Sequence, residues 1–329
     1  MHIKCHVQIL INCRCVTGCL PRYGSTIVDY PESHLGHSGH QLVERRLRLT
    51  VDNTQKWILI TGCSTGIGRH CALALHQQGY SIIASCRRQE DVERLQKEGL
   101  TVLPLDLRDG RSLNEAVEQI HALTGGKLYA LFHNGAYGQP GALEDLPVAA
   151  LREQFETNVF SWHELTRQLL PLLKASSDAR LIYNSSVLGE VAMPLRGAYV
   201  ASKFAIEGMA DTLRLELADT SVKVVLIEPG PIQSQFRDNA YQAFMRHIDK
   251  NNSRFSATYD NMIARLQRDG LNDKFTLGPE AVLEVLESAL TATNPRPRYR
   301  VTRPARVLPW LKRLLPTRML DKLLLKAAD

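Results

Sequence analysis

The second half of this 329-residue chain holds a group of side chains able to move a proton or grip a carbonyl oxygen. The stretch "YVASK" sets Tyr199 and Lys203 four residues apart, which on a helix places both on one face. A phenol titrates near pH ~10 and is a poor acid–base group at neutrality, so the neighbouring ammonium is expected to stabilise the phenolate and lower that value. The stretch "YNSS" brings Ser185 and Ser186 to the end of an apolar run. A hydroxyl at the carboxyl edge of a strand can donate to a substrate oxygen. Asn158 falls inside a helical pattern, where asparagine is a poor former and is kept for a hydrogen bond. Singly, each is ordinary: a Tyr-x-x-x-Lys pair mostly marks a solvated helix face, and serines at strand ends mostly serve turns.

A different chemistry is written near the start of the ordered pattern. "TGCSTGIG", Thr61 to Gly68, lies between the apolar "WILI" and the helical "RHCALALHQQG". Glycines at such a junction permit positive φ and let a ligand approach the backbone. The unpaired N–H groups and the helix dipole behind them favour a phosphate. Taken alone, the loop fits a tight strand-to-helix turn equally well.

These residues need a scaffold, and the chain from Lys56 supplies one. Strands are expected at "KWILIT", "SIIAS", "TVLPL", "LYALFH", "RLIYNSS" and "VKVVLIEPG". Helices are expected at 67–78, 90–98, 111–123, 147–174 and 198–218. Continuous apolar strands alternating with helices predict a parallel sheet covered on both faces, hence one doubly wound α/β Rossmann domain over 53–301. Residues 235–275 break the rhythm with short helical pieces carrying Phe236, Tyr241, Phe244 and Met245, and are expected to form a flap over the substrate crevice.

Composition describes an ordinary globule, 44% hydrophobic and 22% charged. The net charge of +6 is concentrated: residues 294–329 hold ten Lys/Arg against two Asp, so the remainder is slightly acidic. With no aromatic stacking platform beside that charge, a nucleic-acid partner is not expected. The tail, 302–329, alternates Leu, Trp and Met with Lys and Arg as a basic amphipathic helix would, suiting it to dock on its own domain, on a second subunit or on an anionic membrane. Seven cysteines without a framework point to a reducing, cytoplasmic setting. Cys5, Cys13, Cys15 and Cys19 lack the paired spacing of a zinc site, so no metal is expected. Residues 1–52 lack periodicity and are expected to be a disordered or artefactual extension.

"TGCSTGIG", "HNGA" (133–136), Asn158, Ser186 followed thirteen residues later by Tyr199, then Lys203 and "EPGPIQS" (228–234) together resemble the classical short-chain dehydrogenases/reductases. Within that family, "CRRQEDVERL", "FTLGPEAV" and "LKRLLP" are similar to the bacterial YbbO-type oxidoreductases, for which NADP-dependent aldehyde reduction is implied. The resemblance implies a catalytic tetrad. Tyr199 would be the acid or base, Ser186 would hold the carbonyl oxygen, Lys203 would bind the nicotinamide ribose and lower the Tyr199 pKa, and Asn158 would hold a water.

It also implies cofactor contacts at Gly62, Ser64, Thr65, Gly66, Ile67 and Gly68. Further contacts follow at Asp106, Asn134 and Gly135, and at Pro229, Gly230, Ile232 and Ser234. His133 stands where the family usually has asparagine, and the small pair after Asn134 is exchanged. At the end of the second strand Cys86 occupies the position of the acidic residue that NAD-specific members carry. Arg87 and Arg88 follow, a pair suited to a 2′-phosphate, so NADP(H) is the expected cofactor. The expected substrate is an apolar aldehyde, ketone or alcohol, lined by Tyr137, Leu188, Met193, Leu195, Phe236, Phe244 and Met245. The alternative from another class is a redox sensor that binds NADP without turnover. The helices bearing Asn158 and Tyr199 commonly form dimer contacts in the family, so a homo-oligomer is expected.

Overall fold

A computed structural model of the chain describes residues 55–267 and 275–328. The N-terminal extension with its four cysteines lies outside the described residues. The apolar runs fold as β1 (Trp57–Ile60), β2 (Ser81–Cys86), β3 (Thr101–Pro104), β4 (Ala130–His133), β5 (Ala179–Asn184) and β6 (Val222–Glu228). With β7 (Arg298–Arg300) they form one parallel sheet in the order β3-β2-β1-β4-β5-β6-β7. The chain winds outward from β1 to β3, then returns to set β4 against β1, with Ile58 opposite Ala130 and Ile60 opposite Phe132. At that reversal the loops leaving β1 and β4 diverge and open a crevice at their carboxyl ends.

Both faces of the sheet are covered, which is why the strands read as unbroken apolar runs. Ile58 and Ile60 pack with α1 (Gly66–Gln77), α2 (Gln89–Lys97) and α9 (Glu280–Thr291) through Leu75, Leu95 and Leu286. Leu59 points the other way, toward α3 (Gly110–Thr124), α5 (Ser161–Lys174) and α6 (Gly197–Glu216), where Ile120, Trp162 and Ile206 are fully or almost fully buried.

Two features depart from expectation. The single helix expected over 147–174 is α4 (Val148–Phe155), a π-helical turn at Glu156–Phe160, and then α5. The π turn widens the helix at Asn158 and re-aims that residue. The other is β7, three polar residues whose pairing partner is β6.

The flap is α7 (Phe236–His247), a 3-10 turn at Lys250–Asn252 and α8 (Ser256–Leu266), with 268–274 outside the described residues. The tail is a helix pair, α10 (Arg303–Leu314) and α11 (Thr317–Ala328). Thr302 caps α10 by accepting from the Ala305 N–H at 3.3 Å. Ala305 and Leu308 then pack α10 against Val187, Leu188, Met193 and Tyr199. Among the described residues no helix is long and apolar enough to cross a membrane.

Candidate active site

The glycine loop is built as a cradle. Gly62 and Gly66 take φ of +69° and +57°, and a Cβ on Gly62 would meet the Gly135 Cα at 2.5 Å. A Cβ on Gly68 would meet the Gly62 carbonyl oxygen at 2.4 Å, so α1 starts directly against the loop. Thr65 precedes α1 with no side-chain capping bond, and the first turn has no acidic residue. The leading amides therefore remain open for an anion, as a dinucleotide diphosphate requires. Asn134 fastens β4 to this loop: its Nδ2 donates to the Thr61 carbonyl at 3.0 Å, and its Oδ1 accepts from Asn184 at 2.9 Å. The amides of Asn134 and Gly135 both donate to the Thr61 hydroxyl.

His133 does not disturb this arrangement. It is fully buried between the rings of Trp162 and Tyr183, with Nε2 2.8 Å from the Thr166 hydroxyl. Burial, reinforced by the Lys203 charge, pushes its pKa down to about 3, so it is a neutral spacer.

At the end of β2, Cys86 is buried and Arg87 is exposed. Arg88 donates to Asp91 at 3.0 Å. Sequence reasoning missed Arg94, which pairs with the other oxygen of Asp91 at 2.8 Å and donates to the Ser64 carbonyl at 2.6 Å. It lines a cleft of about 580 Å³ with Ser64, Thr65, Gly66, Arg69 and Ser234. Its spacing from Arg88, six residues along a helix, gave no signal; only the packing of α2 against the glycine loop brings it there. Asp106 accepts from the Arg108 N–H at 3.0 Å. Ile67 and Ile232 pack on the core beneath the loop. The turn after β6 passes close by: Pro229 accepts from the Val187 N–H at 2.9 Å, and a Cβ on Gly230 would strike the Thr302 hydroxyl.

The tetrad residues converge on the crevice. Ser186 Oγ lies 3.4 Å from the Pro229 carbonyl, accepts from the Leu188 N–H at 3.1 Å, and stands close enough to Tyr199 to lower its pKa. Lys203 donates to the Asn184 carbonyl at 2.7 Å, with its ammonium 4.6 Å from the Trp162 ring centre. Asn158 accepts from the Tyr137 N–H at 3.3 Å and donates to the Tyr137 carbonyl at 3.0 Å and the Ser202 hydroxyl at 3.2 Å. Both its amide hydrogens are thus spent, and a water could use only a remaining Oδ1 lone pair.

The expected lowering of the Tyr199 pKa is not found. Burial pushes it up to about 12, against the pull of Ser186 and Arg196. Burial also pushes Lys203 down to about 7, with Glu207 opposing, so the ammonium that should favour the phenolate is itself weakened.

The apolar residues divide. Phe236 lies edge-on to Tyr199, ring centres 5.4 Å apart, and Leu188 and Met193 pack beside the same tyrosine. Tyr137 is held over Asn158 by its backbone. Phe244 and Leu195 pack in a separate cluster with Ala142, Ile248, Tyr259 and Met262. Met245 is 57% exposed to solvent. The helical period of α7 turns Phe244 inward once Phe236 faces Tyr199, a choice the sequence left undetermined.

A parallel sheet with a phosphate cradle at its switch point, and a Ser–Tyr–Lys group across the crevice, describes a dinucleotide-dependent oxidoreductase. The model of the short chain dehydrogenase family matches residues 56–243, and the chain belongs to that family. It is 41% identical to the uncharacterized oxidoreductase YbbO of Escherichia coli K12, over 84% of this chain and 96% of that protein. It is 33% identical to the NADPH-dependent 3-dehydrocapnine reductase of Ornithobacterium rhinotracheale, over 82% and 96% respectively. Among solved structures, a short chain dehydrogenase/reductase from Burkholderia phymatum in complex with NAD shares the fold with a TM-score of 0.66 at 22% identity, covering 79% of this chain and 93% of that one.

Proposed function

We propose that this oxidoreductase uses NADPH to reduce apolar aldehydes or ketones, and in reverse oxidises the alcohols. The observation that carries the reading is the convergence of Ser186, Tyr199 and Lys203 beside the Pro229 turn, with Phe236 edge-on to Tyr199. NADPH is favoured over NADH because Cys86 offers no carboxylate at the end of β2. The buried Asp91 close by is already engaged by Arg88 and Arg94. An NADPH-dependent relative 33% identical to this chain agrees with that choice.

The residues present fit a dinucleotide: the Gly62–Gly68 cradle and the amides of α1 would take the diphosphate, Arg87, Arg88 and Arg94 the 2′-phosphate, Asp106 the adenine side, and Lys203 the nicotinamide ribose. When bound, the nicotinamide supplies the hydride. The protein supplies position and a proton. A phenol held above its ordinary range keeps its proton at neutral pH, and in reduction Tyr199 would give that proton to the more basic alkoxide that hydride transfer leaves. Ser186 donates a hydrogen bond to the same carbonyl oxygen as negative charge develops there. Asn158 keeps Tyr137 and the π turn in place beside them. Leu188, Met193 and Phe236 exclude water and offer no charge to the substrate.

We also infer a reducing cytoplasmic setting, consistent with the free, buried Cys63, Cys71 and Cys86. A homo-oligomer is inferred through the exposed Phe160, Phe204 and Leu215 near α5 and α6.

Tyr199→Phe tests the reading. With a panel of aliphatic and aromatic aldehydes and ketones, NADPH oxidation falls by about 10²–10⁴ while NADPH still quenches protein fluorescence. Tight NADPH binding with no turnover of any carbonyl by the unaltered protein would overturn it in favour of a sensor.

A further inference from the structure

The side of α10 turned away from its own domain carries Val307, Trp310 and Leu314, spaced i, i+3 and i+7, and 52%, 55% and 74% exposed. That spacing makes one apolar stripe. Docking does not explain it, because α10 already buries Ala305 and Pro309 on its other side. Arg306 and Arg313, also seven apart, flank the stripe and line a cleft of about 640 Å³ with Arg296, Arg298 and Arg300. Arg298 and Arg300 are occupied by Glu190, Glu207, Asp211 and Glu228. Among the described residues no carboxylate pairs with Arg296, Arg306 or Arg313. Arg306 uses only its Nε, toward the Arg300 carbonyl at 3.3 Å, and Arg313 rests 5.7 Å from the Trp310 ring centre. On α11 the exposed Arg318, Lys322 and Lys326 follow at i, i+4 and i+8.

We propose that α10 and α11 form a surface that binds anionic phospholipid bilayers, with Val307, Trp310 and Leu314 entering the interface and the Arg296–Arg306–Arg313 cleft holding headgroup phosphate. Charge decides the occupant. Residues 303–328 carry seven Lys/Arg and one acidic residue, Asp321. A second copy placed symmetrically on this face would set like charges against like. An anionic bilayer matches the basic flank and the apolar stripe together, and an exposed tryptophan beside arginine suits the headgroup level. The proposal does not rest on the catalytic reading, since Arg306, Val307, Trp310, Arg313 and Leu314 are not among the α10 side chains packed beside Tyr199.

Co-sedimentation of the full chain with vesicles tests it. The protein pellets with phosphatidylglycerol-containing vesicles, not with pure phosphatidylcholine, and is released by added salt. Trp310 emission shifts to the blue on binding, and Trp310→Phe abolishes the shift. The double variant Arg306→Ala/Arg313→Ala partitions about thirtyfold more weakly, taking about 1 kcal/mol per basic residue near an anionic surface. Trp310→Ser/Leu314→Ser supplies an independent variant, and thermal melting confirms that each one folds. Failure of the unaltered protein to pellet with anionic vesicles, equal binding to neutral ones, or undiminished binding of both variants would overturn the proposal. A dimer dispersed by Trp310→Ser/Leu314→Ser, with no vesicle binding, would assign the face to a second copy instead.

Discussion

Arg94 and Asp91 bear on cofactor choice more directly than the arginine pair that the sequence brought forward. Asp91 is only 3% exposed and holds both Arg88 and Arg94, so the two guanidiniums are fixed in position while its own charge is spent on them. Arg94 also grips the Ser64 carbonyl, tying the proposed 2′-phosphate end of the cleft to the glycine loop. Arg94→Ala should therefore weaken NADPH binding about tenfold or more and leave NADH binding nearly unchanged, because only the phosphate needs the guanidinium. Fluorescence titration with each nucleotide checks this, and an equal loss for both would assign Arg94 to loop support alone. The same scale shows why pairwise spacing misleads about pKa. Tyr199 and Lys203 share a helix face as expected, yet desolvation is the largest influence on each and neither is among the groups that shift the other.

At the scale of elements, the junction between β1 and α1 leaves no room for a side chain at Gly62 or Gly68. An alanine at Gly62 must adopt φ near +69° and place its Cβ 2.5 Å from the Gly135 Cα, where both groups are backbone and cannot rotate aside. Gly62→Ala should cost about 1–3 kcal/mol of stability and weaken NADPH binding more than tenfold. Urea denaturation and nucleotide titration measure the two effects separately. This junction was legible beforehand because glycine spacing between a strand and a helix has one dominant physical reading. Six strands and the helices between them were equally legible from apolar runs and helical periods. The π turn at Asn158 was not, since one extra residue in a turn leaves the periodicity almost unchanged. Nor was β7: "RYR" has no apolar run, and it becomes a strand only because β6 offers an edge and buried carboxylates await its arginines.

For the whole molecule, that seventh strand joins distant parts of the chain through charge. Arg298 reaches Glu207 on α6, one turn beyond Lys203, and Glu228 at the end of β6, while Arg300 joins Glu190 to Glu228. Glu228 is fully buried, and burial pushes its pKa up to about 7, with Glu207 and Glu190 adding to the rise and Arg300 opposing it. Its folded pKa thus lies above the unfolded value, so between about pH 4.5 and 7 the native state binds the extra proton and stability falls as pH rises. Arg298→Ala removes one of the two cations facing that carboxylate, raising its pKa further and extending the loss above neutrality. Near pH ~5, where Glu228 is protonated in both proteins, the variant should lose only what Arg298 contributes through Glu207 and Asp211. Near pH ~8 the gap should widen by no more than about 1.4 kcal/mol, because one pH unit above the parent's value of about 7 the stranded carboxylate keeps its proton instead of staying charged. Urea denaturation at the two pH values measures it. A gap that does not change with pH would mean that Arg298 holds the edge by packing and through Glu207 and Asp211, and that Glu228 is not the charge it neutralises.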